Sequence, residues 1–263
     1  MDNTQQDEML KERLSKIKNT IVVLSGKGGV GKSTIATNIA MSLALKGFKT
    51  GLLDVDIHGP SIPTLLGLEK ERAQGEGELL YPIEYSEGLK VVSVGFMIED
   101  PTNPIVWRGP MKMKFIKQMI SDVTWGELDY LIVDCPPGTG DEPLSIIQTL
   151  NNVTGAIIVT TPQKLAVVDV KKSINFCKQL ETPILGVIEN MSGFICPKCG
   201  ERVEIFKSGG GETMAKEMDV PFLGKIPLEA DIVEAGDSGK PYIYFYSETE
   251  TGKIMEKIIG EII

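Results

Sequence analysis

The residues best suited to chemistry form a glycine- and lysine-rich segment near the N-terminus, Ser25–Thr34. From Gly26 to Ser33 it contains the pattern G-x-x-x-x-G-K-[ST]. An apolar, strand-like run precedes the segment, and a run with helical apolar spacing follows it. Glycines let the backbone wrap closely around phosphate oxygens, and a helix N-terminus supplies positive potential to an anion. The pattern therefore predicts a phosphate-binding loop between a strand and a helix.

Each part of this loop has an expected role. Lys32 is predicted to reach the β- and γ-phosphates as a catalytic residue, and the Ser33 hydroxyl is predicted to bind Mg²⁺. The other residues expected to contact the nucleotide are Gly26, Lys27, Gly28, Gly29, Val30, Gly31 and Thr34. The loop thus predicts a nucleoside triphosphate with Mg²⁺ as the bound cofactors.

Three aspartates end apolar, strand-like runs. Asp134 ends one of them and has the Walker B pattern, in which the carboxylate binds Mg²⁺, often through water. Asp54 and Asp56 alternate along another run, so both side chains project to one side of an extended segment. Such carboxylates at strand ends can orient the attacking water or hold a magnesium-bound water. For Asp54, capping of the following turn is the alternative. The N–H of Gly138, just after Asp134, is a candidate sensor of the γ-phosphate.

A single C-x-x-C pair, Cys196 and Cys199, has the spacing of a metal knuckle. Two intervening residues let both sulfurs face one ion, and Gly200 permits a tight turn whose N–H groups can point at sulfur. Zinc or iron–sulfur sites usually need four protein ligands. Either an identical pair across a two-fold axis completes the site, or the site is not a closed metal centre. A structural zinc, a redox dithiol and an inert pair remain alternatives. Cys135, after a buried run, is interpreted as a core residue.

The charge balance and residue counts exclude several classes of protein. The chain has 263 residues, with 27 Lys plus Arg against 36 Asp plus Glu, a net charge of −9. An acidic chain is a poor non-specific binder of nucleic acid. One histidine, His58, excludes His-rich metal sites, and four cysteines are too few for a disulfide scaffold. Neither a signal peptide nor an apolar run of about 18 residues is present. We therefore expect a cytoplasmic protein that binds no membrane.

Short apolar runs alternate with helical patterns along the chain, which predicts a parallel sheet with right-handed crossovers. The predicted fold class is α/β, a three-layer P-loop NTPase fold whose mostly parallel sheet has about seven or eight strands, with helices on both faces. Residues 1–18 are predicted to form an N-terminal helical extension, and residues 19–263 a single ATPase domain. Glu69–Gly88 is expected to be a solvated excursion or a hairpin insert. The runs predicted as strands are Thr20–Ser25, Gly51–Asp54, Lys90–Val94, Tyr130–Asp134, Ala156–Thr160, Ile184–Glu189 and Phe222–Ile226.

An unusual second lysine, Lys27, follows the first glycine of the loop, so the loop resembles the deviant Walker A group that includes MinD, ParA and the nitrogenase iron protein. The ordered segments GKGGVGKST, DVDIHGPS, VWRGPMK, DCPPGTGD, VIENMS and CPKCG resemble the Mrp/ApbC family of iron–sulfur cluster carriers. The resemblance runs from about Lys16 to the C-terminus. It implies an ATP-hydrolysing homodimer with a labile [4Fe–4S] cluster between two C-x-x-C pairs. It also implies a scaffold or donor that supplies the cluster and apo-proteins that receive it.

The same resemblance assigns further roles to individual residues. Lys27 is expected to reach across the dimer interface to the partner's nucleotide and act in catalysis. Asp56 is expected to position the attacking water and, with Asp134, to bind magnesium through water, while Asp54 supports the magnesium shell. Asn190 is expected at the adenine, and the turn containing Pro227 on its opposite side. Arg108 is an interface or switch residue, or part of a plain salt bridge.

The main rival class is a MinD/ParA-like positioning protein that binds membrane or DNA. MinD-like proteins end in an amphipathic membrane helix, and residues 253–263 do have an apolar helical face. The polar face mixes Lys with Glu and lacks the basic excess expected for anionic lipid. We therefore expect this helix to pack on its own domain.

Overall fold

The alternation of apolar runs and helical patterns folds into strands that alternate with helices. The computed structural model describes residues 3–77, 79–98, 109–196 and 198–263. The strands are β1 (Ile17–Ser25), β2 (Thr50–Asp54), β3 (Gln74–Glu76), β4 (Leu79–Tyr81), β5 (Ile83–Glu84), β6 (Leu89–Ser93), β7 (Leu128–Asp134), β8 (Gly155–Thr160), β9 (Ile184–Glu189), β10 (Phe194–Ile195), β11 (Arg202–Val203) and β12 (Phe222–Lys225). The helices are α1 (Asn3–Leu14), α2 (Lys32–Leu45), α3 (Ile62–Leu65), α4 (Gly109–Ser121), α5 (Asp141–Leu150), α6 (Lys164–Gln179), α7 (Gly210–Glu217), α8 (Ala230–Asp237), α9 (Tyr242–Tyr246) and α10 (Glu250–Gly260).

The central sheet has eight strands in the order β12-β9-β8-β1-β7-β2-β6-β5. All neighbours are parallel except β5, which pairs antiparallel with β6 at the edge. Each of the seven apolar runs forms one of the parallel strands, so the predicted fold class is confirmed. The sequences of these strands are continuously apolar because helices cover both faces of the sheet.

Two hydrophobic clusters, one on each face of the sheet, make up the core. Along β1, Val22 and Leu24 belong to one cluster, and Ile21 and Val23 to the other. Helices α1, α4, α5, α6 and α7 contribute to the first cluster, whereas α2, α3, α8, α9 and α10 contribute to the second. This three-layer arrangement holds the carboxyl ends of the strands at one edge, where ligands bind in open α/β sheets.

The N-terminal helix packs on the body of the protein. Leu10 of α1 and Ile17 at the start of β1 are both buried in the first cluster, and the Arg13 guanidinium donates to the Ser121 carbonyl at the end of α4. Strand β1 starts at Ile17, inside the predicted extension 1–18, because the Leu128 N–H already bonds the Lys16 carbonyl there. The division of the chain at residues 18 and 19 stays a prediction.

The charged stretch Glu69–Gly88 contains the predicted hairpin, formed by β3 and β4. It also contains β5, which joins the main sheet and was not predicted. At the other end of the chain, Met255, Ile258 and Ile259 of α10 are buried in the second cluster. The expected packing of this helix on its own domain is therefore confirmed. Among the described residues, no helix is both long and apolar enough to cross a membrane.

Candidate functional site

The glycine-rich loop connects β1 to α2 as predicted. Gly29 and Gly31 have φ angles of 76° and 82°, the left-handed region that glycine adopts without strain. Gly26 packs against α6, and a Cβ there would lie 2.5 Å from the Asp169 carbonyl carbon. A Cβ on Gly28 or Gly29 would meet no atom within 4 Å. The first glycine of the loop is thus closely packed, while Gly28 and Gly29 face open space.

Lys32 lies at the centre of an acidic cluster at the strand ends. Its Nζ is 2.5 Å from Asp134 Oδ1, 3.9 Å from Asp56 Oδ2 and 3.3 Å from Ser33 Oγ. The sheet explains this convergence, because β7 lies between β1 and β2 and Asp54 is in register with Asp134. The side chain of Lys32 is only 6% exposed. The strand order therefore assembles the predicted lysine, serine and aspartates into one site.

The two alternating aspartates have different surroundings. Asp54 is fully buried, and its carboxylate accepts hydrogen bonds from the Ser93 hydroxyl at 2.8 Å and the Asp56 N–H at 3.1 Å. The second bond is the turn cap that the sequence left open as an alternative. Asp56 is slightly more exposed and accepts a bond from the His58 N–H at 3.2 Å. Asp56 is thus the better placed of the two to meet a ligand, with Asp54 supporting it from behind.

The electrostatics of this cluster favour a divalent cation. Burial raises the pKa of Asp54 to about 8, and the neighbouring Asp134 adds to the rise. Burial also raises the pKa of Asp134, against the opposing effect of Lys32. Asp134 Oδ2 is buried and has no hydrogen-bond partner in the described part of the chain. An unpaired carboxylate oxygen beside a hydroxyl and a second carboxylate is an oxygen donor set of the kind that Mg²⁺ prefers.

We expect Asp54→Asn to flatten the pH dependence of stability when nucleotide and metal are absent. Between about pH 4 and pH 8 the folded state keeps Asp54 protonated while the unfolded state releases that proton. Stability therefore falls as pH rises through this window, by at most about 1.4 kcal/mol per pH unit for one group. Urea unfolding at several pH values should show a shallower fall for Asp54→Asn than for the wild type. Identical slopes for both proteins would contradict the assignment.

The loop after Asp134 differs from its expected arrangement. The Gly138 N–H, predicted to sense the γ-phosphate, donates instead to the Ser25 carbonyl at 2.8 Å. Gly138 has a φ of 94°, in the left-handed region that glycine adopts without strain. Contact of this N–H with a phosphate requires that bond to break, and the sensor role stays a prediction.

A hydrogen bond fixes the backbone of Lys27, the second lysine of the loop. The Ser25 hydroxyl donates to the Lys27 carbonyl at 3.0 Å. Among the described residues, no carboxylate or hydrogen-bond acceptor pairs with the Lys27 ammonium. The fold therefore leaves this ammonium available to a group outside its own loop.

A cavity of about 330 Å³ opens beside the loop and brings together the two residues predicted to enclose the adenine. Asn190 forms one wall, where its Nδ2 donates to the Val30 carbonyl at 2.9 Å, and Pro227 forms another. Gly31 and Thr34 line the same cavity. Leu228, which belongs to the same predicted turn as Pro227, also lines the cavity. The remaining walls, which the sequence did not predict, come from Ser61, Thr64, Leu65, Met191, Glu229, Ile232, Val233, Gly236 and Asp237.

The cysteine pair lies on a short antiparallel hairpin of β10 and β11. Backbone N–H groups of Lys198 and Cys199 donate to the Cys196 sulfur and lower the pKa of that thiol. Gly200 has a φ of 74°, and its N–H bonds the Cys196 carbonyl at 2.8 Å, which closes the tight turn. Cys196 is half-buried and Cys199 is exposed. The hairpin therefore presents two thiols to solvent in the geometry of a metal knuckle.

The other two cysteines are core residues. Cys135 and Cys177 are buried in the first hydrophobic cluster, and burial raises the pKa of both thiols, that of Cys177 to about 12. No third His, Cys, Asp or Glu joins the exposed pair within the ranges that the structure describes. One described chain thus supplies two thiolates to any metal bound at the hairpin.

A further polar cluster, which the sequence did not predict, involves the only histidine. His58 Nε2 is 3.2 Å from Glu142 Oε1, and Lys112 Nζ is 3.0 Å from both atoms. The cluster ties the loop after Asp56 to α4 and α5. The His58 side chain therefore links segments that are far apart in the chain. Arg108, the predicted interface or switch residue, lies outside the described residues.

Comparison with solved structures places this site in a known fold. A nucleotide-binding protein from Archaeoglobus fulgidus, in complex with ADP and with cobalt, is 42% identical with a TM-score of 0.78. The match covers 90% of this chain and 93% of that one. The cell division ATPase MinD from Pyrococcus furiosus is 22% identical with a TM-score of 0.69, over 93% of this chain and 98% of that one. The second likeness shows the fold alone.

Comparison with known sequences identifies the family. An iron-sulfur cluster carrier protein from Methanocaldococcus jannaschii is 50% identical over 260 residues, which cover 98% of this chain and 90% of that protein. The cytosolic Fe-S cluster assembly factor CFD1 of Saccharomyces cerevisiae is 47% identical over 259 residues, 95% of this chain and 88% of that protein. The family model of NUBPL iron-transfer P-loop NTPases, in the ParA group, matches residues 16–263. The chain therefore belongs to the NUBPL-type iron-transfer family of P-loop NTPases.

Proposed function

We propose that this protein is an ATP-hydrolysing carrier that binds a labile [4Fe–4S] cluster between two copies of the chain and transfers it to apo-proteins. The observation that carries the proposal is a solvent-facing two-thiolate knuckle on the same chain as a P-loop whose lysine contacts the strand-end aspartates. The carrier and assembly-factor names of relatives at 50% and 47% identity support it.

The residues of the nucleotide site have separate proposed roles. The glycine-rich loop and Lys32 bind the phosphates, Asn190 and Pro227 enclose the base, and Asp56 orients the attacking water. Ser33, Asp56 and Asp134 would hold Mg²⁺, the latter two through water. The metal, when bound, neutralises charge on the phosphate oxygens.

Two copies of the chain complete both halves of the site. The cargo cluster has four iron corners that need ligands, and each chain provides the thiolates of Cys196 and Cys199. A two-fold axis through the cluster therefore yields four cysteine ligands. The same dimer brings Lys27 of one chain towards the nucleotide of the other. The proposed role of Lys27 and the number of cluster ligands thus each require a homodimer.

The exposure of the hairpin suits transfer. Because Cys199 is exposed and Cys196 is half-buried, thiolates of a recipient can reach the cluster and replace these ligands one by one. The partners we propose are a scaffold or donor that loads the cluster and apo iron–sulfur proteins that receive it, in the cytosol. Zinc uses the same four thiolates and is the competing occupant, as a clamp on the dimer.

Anaerobic reconstitution with iron and sulfide tests this proposal. We expect a brown dimer with about four irons per pair of chains, and a colourless protein after Cys196→Ser. Cys177→Ala is the matched control, because this cysteine is buried in the core, and it should load like the wild type. Colour that survives Cys196→Ser, or a wild type that takes up only zinc, would contradict the proposal.

A further inference from the structure

Both ends of the segment that carries the cysteine pair are tied to one buried carboxylate, Glu189. The segment, residues 192–209, leaves the sheet after β9 and returns at the start of α7. At its first end, the Ser192 hydroxyl donates to Glu189 Oε1 at 2.5 Å. At its second end, the Gly209 N–H donates to Oε1 at 2.8 Å and the Gly211 N–H to Oε2 at 2.5 Å. One side chain therefore sets the distance between the two ends.

The surroundings of Glu189 leave it little freedom to move. Its side chain is fully buried, and among the described residues no lysine or arginine pairs with it. The N–H groups at the start of α7 balance its charge, because a helix N-terminus favours an anion. A Cβ on Gly211 would lie 3.0 Å from Glu189 Oε2 and 3.0 Å from Thr160 Cγ2. The Ser192 and Ser208 hydroxyls also meet at 3.0 Å, which joins the two ends directly.

The same end of the segment is bonded to both walls of the nucleotide cavity. Asn190, adjacent to Glu189, donates to the carbonyl of Val30 in the phosphate-binding loop. On the opposite wall, the Leu228 N–H bonds the Gly193 carbonyl at 2.8 Å. The Ser192 N–H bonds the Ile226 carbonyl at 2.9 Å, next to Pro227. Cys196 follows Asn190 by only six positions. Movement of either wall of the cavity would therefore move the start of the cysteine segment, because covalent and hydrogen bonds connect them directly.

We propose that Glu189 is a positioning residue that couples nucleotide occupancy to the availability of the two thiolates. It does so by clamping both ends of the cysteine segment, so that displacement at Asn190 moves the hairpin as a unit. The inference rests on the proposed function, in which the same thiolates hold the cargo. Coupling between two sites is reciprocal, so metal at the hairpin changes nucleotide affinity by the same factor.

Alkylation of the metal-free protein by iodoacetamide tests the coupling, because burial shields Cys135 and Cys177 and the reaction reports on the exposed pair. In the wild type, Mg-ADP is expected to change the alkylation rate by about fivefold or more. In Glu189→Gln the change should fall below about twofold, while ADP affinity by calorimetry stays within about threefold. Glu212→Gln alters an exposed carboxylate on α7 and should keep the wild-type response.

The other possible results of this experiment overturn the proposed coupling. A full nucleotide response in Glu189→Gln, or none in the wild type, overturns the proposal, as does a response that merely follows dimer formation on gel filtration. If Glu189→Gln does not fold, Ser192→Ala and Ser208→Ala remove single hydroxyls, and unchanged responses in both overturn it. The alkylation experiment uses no iron, so it can be interpreted even if the protein does not load a cluster. Failure of the proposed coupling is therefore distinguishable from failure of the proposed function.

Discussion

Replacing Lys27 with alanine is expected to lower ATP turnover by about 10³-fold or more while ATP affinity stays nearly unchanged. The ammonium of Lys27 has no partner among the described residues, and its backbone is fixed by the Ser25 hydroxyl. A cation delivered to the partner's γ-phosphate acts as an arginine finger does, stabilising charge in the transition state, which contributes about 4–7 kcal/mol. Single-turnover hydrolysis and a separate binding titration measure the two effects.

Mixing two inactive variants shows whether the lysine acts across the dimer. Lys32→Ala is expected to abolish phosphate binding in its own chain, and it retains Lys27. In an equal mixture with Lys27→Ala, half of the dimers are mixed and each has one working site, so about a quarter of wild-type activity should return. Unchanged turnover in Lys27→Ala alone, or no recovery on mixing, would contradict a lysine that acts in the partner's site.

Lys32→Ala is expected to lower the free energy of unfolding of the nucleotide-free protein by about 3–5 kcal/mol. Lys32 is the cation that contacts Asp134 and Asp56, and all of these side chains are buried or nearly so. Removing one partner of a buried ion pair leaves an uncompensated charge in a medium that solvates it poorly. Urea unfolding at pH 8 without Mg²⁺ gives the value.

A double variant identifies the origin of that loss. If unpaired charge is responsible, Asp134→Asn combined with Lys32→Ala should recover a large part of the stability lost by Lys32→Ala alone. Lys172→Ala is the matched control, because its ion pair with Asp169 is exposed and contributes less than about 1 kcal/mol. A loss below about 1 kcal/mol for Lys32→Ala would contradict an uncompensated buried charge at this site.

The parallel strands were predictable because burial on both faces leaves a continuous apolar run in the sequence. All seven runs form strands, and the order of β1, β7 and β2 then brings Lys32 and the aspartates together. Strand β5 was missed, since the two residues Ile83–Glu84 are too few to show any period. This strand forms by antiparallel pairing with β6, which would otherwise be the edge of the sheet.

Contacts between distant parts of the chain were the least predictable part of the site. The bond between Asp54 and Ser93 joins neighbouring strands, and nothing near either residue in the sequence indicates it. Likewise, Glu189 ends an ordinary apolar strand, and its role depends on glycines some twenty positions later. The C-x-x-C pair was predictable because the turn contacts that the structure describes there are local.

The central claim, that this protein carries clusters for others, is tested most directly by transfer in the presence of an iron chelator. The loaded wild type is mixed anaerobically with an apo-enzyme that needs a [4Fe–4S] cluster, and the regained activity is followed over time. The account predicts that activity returns despite the chelator, because the cluster passes between thiolates without release of iron. Recovery that the chelator abolishes, or no recovery at all, would contradict it.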